Sequence, residues 1–238
     1  MEQVIIDREN FQVIRLGKSQ FLIQFQYQSH KIVNSFIKTK LIPGSSTDEN
    51  YKTIKFKAES VKSLAEFEKE TFVKYGKKGI IVPTVAKMIY SLSNQLSYLI
   101  ERERCTIIGY SVKNVIVIND DKFLFLDGEF IANIDEKTQQ IMISYPFSKT
   151  EIFLSPELLT LCEIPAYVHY KTAYFSLACL LIWSITGENE FYLEFLKHKE
   201  PLKILEELEN HPIKDTKMYW LLSRCLLNEE RNRSILYI

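Results

Sequence analysis

The sequence predicts an α+β fold in which a small antiparallel sheet precedes a mainly helical region. Strand-like runs separated by turn signals fill the first 58 residues, and one of them alternates apolar and polar residues, as a half-buried strand does. After residue 64, apolar residues recur three and four apart, the spacing of helices. The chain has 238 residues, enough for one large domain or two small lobes with a substantial core.

Four strands are predicted for the sheet. Turn signals at 17–19 and 28–30 separate the first three strands, and a loop rich in small and polar residues precedes the fourth. The predicted strands span residues 11–16, 21–27, 31–42 and 51–58.

Six helices are predicted for the rest of the chain, over residues 64–74, 83–102, 172–186, 191–198, 201–210 and 217–227. The segment 172–186 is apolar on all sides, which is typical of a buried helix. Its most apolar run is too short to span a bilayer.

Composition excludes several classes of protein. The 30 basic and 30 acidic residues give a net charge of zero, which argues against a dedicated nucleic-acid binder. The 4 cysteines are scattered, as in proteins of a reducing compartment, and the first residues do not form a signal peptide. These features predict a soluble intracellular protein, cytoplasmic or nuclear, with protein partners and no membrane.

The many Ile, Lys and Asn residues indicate an AT-rich genome. If the protein is viral, it is expected in the virion or in the host cytoplasm.

A predicted hairpin carries the residues with the clearest chemistry. Strands over 115–118 and 122–126 are joined by an Asn-Asp-Asp turn at 119–121. Asn114 precedes the first strand and Asp127 follows the second, so both side chains are expected at the open end of the hairpin. Their oxygens are ligands that suit Mg²⁺.

This segment resembles the catalytic loop and DFG motif of protein kinases. Asn114 and Asp127 have the family's spacing, and Asp127-Gly128-Glu129 stands in place of DFG. The resemblance implies that Asn114 and Asp127 hold a metal ion. The position of the catalytic aspartate is Gly109, and that of the catalytic-loop lysine is Ser111. The metal-binding half of the motif is therefore present, whereas the base is missing.

The resemblance also implies a two-lobed, kinase-like fold. A reduced N-lobe of antiparallel strands would span 1–58, a hinge-like segment 59–63 and a mainly helical C-lobe 64–238. Nucleotide-binding positions would be Gly17 in an eroded glycine-rich loop, Lys38 as the phosphate-pairing lysine, and Glu59 and Val61 in the hinge. Lys38 has an alternative interpretation as a solvated strand lysine. Phe36 would fill the adenine pocket.

Two further features of the family are altered. The interval between Lys38 and Glu59 leaves room for one strand only, so the family's helix with the glutamate partner of the lysine is expected to be missing. Ala173 replaces an aspartate that anchors the catalytic-loop backbone. The motif containing Glu157 is similar to the family's Ala-Pro-Glu, and Arg233 is its candidate partner, with a surface arginine as the alternative.

Three functions remain open from the sequence. The first is a catalytically impaired, kinase-like protein (a pseudokinase) that binds proteins as a scaffold or regulator and binds ATP with Mg²⁺ weakly or not at all. The second is a divergent, active ATP- and Mg²⁺-dependent Ser/Thr protein kinase in which Glu129, or less suitably Asp120 or Asp121, replaces the missing base. The third is an α+β interaction domain unrelated to kinases.

Overall fold

The computed structural model describes residues 2–76, 78–148 and 152–236. Within these ranges the chain forms three antiparallel sheets and eight α-helices, which confirms the predicted α+β class. No helix of these ranges is long and apolar enough to cross a membrane.

The first sheet has five antiparallel strands near the start of the chain. They are β1 (Gln3–Asp7), β2 (Phe11–Arg15), β3 (Gln20–Phe25), β4 (Ser46–Thr47) and β5 (Thr53–Lys57). Their order across the sheet is β1-β2-β3-β5-β4. The inner face contributes alternate buried side chains to the core, such as Phe21, Ile23 and Phe25 of β3. β1 was not predicted from the sequence. A helix separates β3 from β4 and β5 along the chain.

The prediction of a strand over 31–42 is wrong, because this segment forms helix α1 (His30–Lys38). Phe36 lies four residues after Ile32 and three after Val33. A helix therefore places all three side chains on one face, where they are buried. The β-branched residues suggested a strand, but the helical spacing of the apolar residues decides the structure. Between Lys38 and Glu59 the structure has strands β4 and β5 and no α-helix, so α1 lies before the interval in which a helix was expected to be missing.

The predicted hairpin is present and belongs to a three-stranded sheet. The strands are β6 (Val61–Ser63), β8 (Val115–Ile118) and β9 (Lys122–Phe125), in the order β6-β8-β9. The hinge-like segment 59–63 contains β6, and the turn residue Asn119 accepts a hydrogen bond from the Glu59 amide at 2.7 Å.

Two helices connect this sheet to the rest of the chain. Helix α2 (Leu64–Tyr75) begins at a capping box in which Ser63 and Glu66 bond reciprocally, and it ends at Gly76 in the left-handed conformation. Helix α3 (Val82–Arg102) is the longest and packs against β9. The predicted bounds of both helices agree with the structure within one residue.

Helix α5 (Thr172–Thr186) packs against α3, and its side chains are buried nearly throughout, as its composition predicts. A further sheet has four strands: β7 (Cys105–Ile107), β10 (Ile131–Asp135), β11 (Gln140–Ile143) and β12 (Ala166–His169). Their order is β12-β11-β10-β7. The other helices are α4 (Pro156–Leu159), α6 (Glu190–His198), α7 (Pro201–Glu209) and α8 (Lys217–Cys225).

One buried amide joins helix α1 to the hairpin. Gln95 of α3 is fully buried; its Nε2 donates to the Phe125 carbonyl at 2.8 Å, and its Oε1 accepts from the Phe125 amide at 2.9 Å. The same Nε2 lies 3.0 Å from the hydroxyl of Ser35 on α1. Because buried polar groups left unpaired are costly, this network fixes α1 relative to the hairpin.

Candidate functional site

The open end of the β8–β9 hairpin brings Asn114 and Asp127 together, as the sequence predicts. The Leu126 amide donates to the Asn114 carbonyl at 3.0 Å, which closes the end of the ladder. The Asn114 Nδ2 then donates to the Asp127 Oδ2 at 2.9 Å. The amide group of Asn114 thus presents its nitrogen to the carboxylate.

A third residue, Asn10, reaches the same carboxylate from the turn between β1 and β2. Its Nδ2 donates to the Asp127 Oδ1 at 3.0 Å, and the Glu129 backbone amide donates to the same oxygen at 3.1 Å. Both oxygens of Asp127 therefore accept hydrogen bonds from neutral N–H groups within the protein.

The Asp127 carboxylate is buried, with 4% of the residue exposed. Burial raises its pKa from the ordinary 3.8 to about 6, and the negative charges of Glu129 and Glu9 act in the same direction. The hydrogen bonds from the Glu129 amide and Asn10 lower the pKa and oppose part of this effect. The carboxyl is consequently easier to protonate than an exposed aspartate.

The turn that carries Asn10 has a second contact with the catalytic-loop-like segment. The Arg8 Nε donates to the backbone carbonyl of Lys113 at 3.2 Å, one residue before Asn114. Residues 8–10 therefore lie directly over the end of the hairpin at which the Asn114 and Asp127 side chains meet.

This arrangement does not fit a bound divalent cation. Such a cation needs oxygen ligands, whereas Asp127 is surrounded by N–H donors from Asn10, Asn114 and Glu129. Across residues 2–76, 78–148 and 152–236, no group of three or more His, Cys, Asp or Glu side chains is placed to hold a metal ion. A cation at Asp127 would require both asparagine amides to give up these hydrogen bonds, by turning their oxygens toward the cation or by moving away.

The other predicted nucleotide-binding residues lie away from Asp127. Gly17 is in the β2–β3 turn, at the end of β2 opposite to Asn10. Lys38 is exposed in the last turn of α1, so its placement on a strand is wrong, whereas its exposure to solvent agrees with the alternative interpretation. Phe36 packs against Phe56 in the core, with ring centroids 5.5 Å apart, and does not line an adenine pocket.

The hinge-like residues have structural contacts. Val61 is buried at the start of β6 and pairs with Ile118 of the hairpin. Glu59 is exposed, and its backbone amide is bound by Asn119.

Gly109 stands at the position of the missing base, and the structure leaves no room for a side chain there. A Cβ on Gly109 would lie 2.4 Å from the Ile152 Cγ2 and 3.1 Å from the Leu154 Cδ2. Both of these side chains are buried, so they have little space in which to move. Packed side chains therefore fill the position that the resemblance gives to a catalytic base.

We expect Gly109→Asp to destabilise the protein and not to create phosphotransfer activity. The new side chain collides with packed methyl groups, and overpacking of this kind costs about 1–3 kcal/mol, to which burial of a carboxylate adds. Urea unfolding of the variant measures the loss. The double variant Gly109→Asp/Ile152→Ala should recover part of it; equal stability of Gly109→Asp and the wild type would contradict the packing.

A hydroxyl on α5 anchors the backbone of the catalytic-loop-like segment. Ser176 Oγ accepts from the Tyr110 amide at 2.6 Å and donates to the Phe153 carbonyl. Ala173, which replaces the family's aspartate, is fully buried one turn earlier on the same helix. Ser176 thus supplies a backbone anchor that sequence reasoning missed.

Glu157 and Arg233 form a bidentate ion pair, as the sequence suggested. The Arg233 Nη1 and Nη2 lie 2.6 and 2.9 Å from the two Glu157 oxygens, and Arg233 is fully buried. The guanidinium also donates to the Leu227 and Asn228 carbonyls and lies over the Phe175 ring. The alternative of a surface arginine is therefore wrong.

Glu129, the candidate substitute base, borders a cavity of about 360 Å³ beside Asp127. The Glu129 side chain is exposed. The cavity also contacts Asn10, Lys31 of α1 and the loop before this helix. Asp120 and Asp121 lie in the turn at the other end of the hairpin, where they pair with Lys62 and with Lys87 and Lys122.

No signal in the sequence pointed to Asn10, because an asparagine in a polar turn is ordinary turn chemistry. Ser176 had only a weak signal, as a hydroxyl within an otherwise apolar buried helix, which needs a hydrogen-bond partner.

The chain matches no protein-family model, and no curated protein sequence is significantly similar to it.

Proposed function

We propose that this chain is a catalytically impaired, protein kinase-like protein that acts as a protein-binding scaffold or regulator. The observation that carries the proposal is the hydrogen-bonded closure of Asp127 by Asn10 at 3.0 Å. In the kinase-like interpretation, Asp127 is the metal-binding aspartate, and the turn over it takes the place of the phosphate-binding loop. The place of the metal and phosphates is filled by the protein itself.

The order of the elements supports this interpretation. A kinase-like N-lobe has a helix and two strands between the lysine strand and the hinge. Here α1, β4 and β5 lie between β3 and the segment 59–63. The hairpin with Asn114 and Asp127 follows the long helix α3, and the buried Glu157–Arg233 pair follows later in the chain.

This order moves the nucleotide-binding positions to residues that lack the required chemistry. The lysine strand becomes β3, which contains no lysine. The helix that should supply its glutamate becomes α1, which contains no acidic residue. The phosphate-binding turn becomes residues 8–10, which contain no glycine to let backbone amides approach a phosphate.

The alternative of an active kinase has less support. It requires a metal ion at Asp127, where the side chains present N–H donors, and a base other than residue 109. General-base assistance contributes on the order of 10²–10⁴-fold to such reactions. Positioning and charge stabilisation contribute more, and these depend on a phosphate-pairing lysine, which β3 lacks, and on a metal ion at Asp127, where N–H donors face the carboxylate.

A phosphotransfer assay tests the proposal. We expect the purified chain, with radiolabelled ATP, Mg²⁺ and a mixed panel of Ser- and Thr-containing peptides, to transfer no more phosphate than Asp127→Ala does. Transfer by the wild type that Asp127→Ala abolishes would overturn the impaired assignment. A protein partner of the wild type should bind equally well with and without ATP and Mg²⁺, because binding does not use a nucleotide.

A further inference from the structure

The turn between β1 and β2 ties the edge of the five-stranded sheet to the open end of the hairpin. β1 and β2 form this edge, and β2 pairs with β3 on its inner side. Residues 8–10, which join β1 to β2, contact the hairpin end through Asn10 to Asp127 and through Arg8 to the Lys113 carbonyl. We call Arg8, Asn10, Lys113 and Asp127 the latch.

The latch is distinct from the contacts that hold α1. On the α1 side, Asn34 donates to Glu103 at 3.0 Å, and Gln95 lies 3.0 Å from Ser35. Those contacts position the helix side of the sheet, whereas the latch positions its β1–β2 edge. Loss of the latch can therefore loosen this edge while the Gln95 network remains intact.

The stability of the turn alone does not explain why residue 10 is asparagine. The Asn10 Oδ1 is buried and has no hydrogen-bond partner among the described residues. A buried unpaired carbonyl oxygen is unfavourable, so the amide is retained here at a cost. In return, the Asn10 amide donates a hydrogen bond to the buried Asp127 carboxylate. When Asp127 is ionised, this hydrogen bond is charge-assisted and therefore stronger.

We infer that the latch is a built-in substitute for a nucleotide, which holds the sheet closed on the hairpin without any ligand. The role that this inference gives to Asp127 rests on the proposed function, whereas the contacts of the latch do not. The Asn10 amide supplies Asp127 with the positive end of a dipole, in the place where the family has a cation. The β1–β2 edge of the sheet is therefore held in a single arrangement that does not depend on ATP.

Hydrogen exchange of the full chain without nucleotide tests the latch. Asn10→Asp is isosteric with the wild type, but an ionised carboxylate at this position cannot donate to Asp127; Asn10→Ala removes the group altogether. We expect the amides of Leu126 and Glu129 to exchange about tenfold faster in both variants, because both amides are bonded at the latched end. Lys18→Ala, an exposed substitution in the opposite turn of the sheet, should leave them unchanged.

Amides of the central strand β8 distinguish local opening from loss of global stability. We expect their exchange to be the same in wild type and variants. Unchanged exchange at Leu126 and Glu129, or equally accelerated exchange in β8, would overturn the latch. Asp127-dependent phosphotransfer by the wild type would instead overturn the proposed function, and the exchange result would still decide the latch.

Discussion

Replacing Arg233 with methionine is expected to lower the free energy of unfolding by about 3–5 kcal/mol. Arg233 is fully buried and satisfies both Glu157 oxygens and two backbone carbonyls. Without the guanidinium, the Glu157 carboxylate is left without its charge partner, and two carbonyls lose their donors. Urea unfolding, followed by circular dichroism, measures the loss.

Arg231→Met is the matched control for this substitution. Arg231 lies two residues earlier, and its side chain is exposed, so we expect its replacement to change stability by less than about 0.5 kcal/mol. The double variant Arg233→Met/Glu157→Leu should be more stable than Arg233→Met, since it removes the unpaired carboxylate. Equal unfolding midpoints for Arg233→Met and Arg231→Met would contradict the buried ion pair.

Replacing Asp127 with asparagine is expected to remove a pH dependence of stability. The folded pKa of Asp127 is about 6, against an ordinary value of 3.8. The unfolded chain releases this proton at lower pH than the folded chain, so raising the pH from about 4 to about 7 favours unfolding by roughly 3 kcal/mol. The wild type should lose this amount relative to Asp127→Asn, as measured by urea unfolding at several pH values.

Asp135→Asn provides a control of opposite sign. The hydrogen bonds from Thr138 and Lys137 hold the pKa of Asp135 below its usual value. The stability that Asp135 contributes is present above the unfolded pKa and is lost as the pH falls through the folded pKa.

A stability difference between wild type and Asp127→Asn that does not change between about pH 4 and about pH 7 would contradict the buried, poorly solvated carboxyl of Asp127.

The hairpin could be predicted because its information is local. Asn114 and Asp127 are thirteen residues apart along the chain and are joined by two short strands and a tight turn. Any hairpin brings such residues together, whatever the rest of the chain does. Helix α5 was equally predictable, since its composition allows only a buried helix.

The closure of the site could not be predicted, because it depends on contacts between distant segments. Asn10 and Asp127 are 117 residues apart, and Tyr110 and Ser176 are 66 apart. In the sequence alone, an asparagine in a polar turn indicates no particular partner. Only the packing of the sheet edge on the hairpin shows which group the amide meets.

Helix α1 was missed for a different reason. Its segment combines β-branched residues with a helical spacing, and the two signals conflict over a short window. In the kinase-like interpretation, the error displaces the expected lysine and glycine loop, whereas the hinge-like segment 59–63 keeps its place. Once α1 is recognised as a helix, the turn at 8–10 becomes the element that faces Asp127.

A thermal-shift titration with ATP and Mg²⁺, run on the wild type beside Asp127→Ala, tests most directly whether the nucleotide site is closed. A ligand that binds only the folded state at about 100 times its Kd stabilises by about 2.7 kcal/mol, which is readily visible as a rise in Tm. We predict no Tm change for either protein at millimolar ATP, because Asn10 and the turn over Asp127 fill the site. A Mg²⁺-dependent rise in Tm of the wild type that is lost in Asp127→Ala would show a working nucleotide site and contradict the closure.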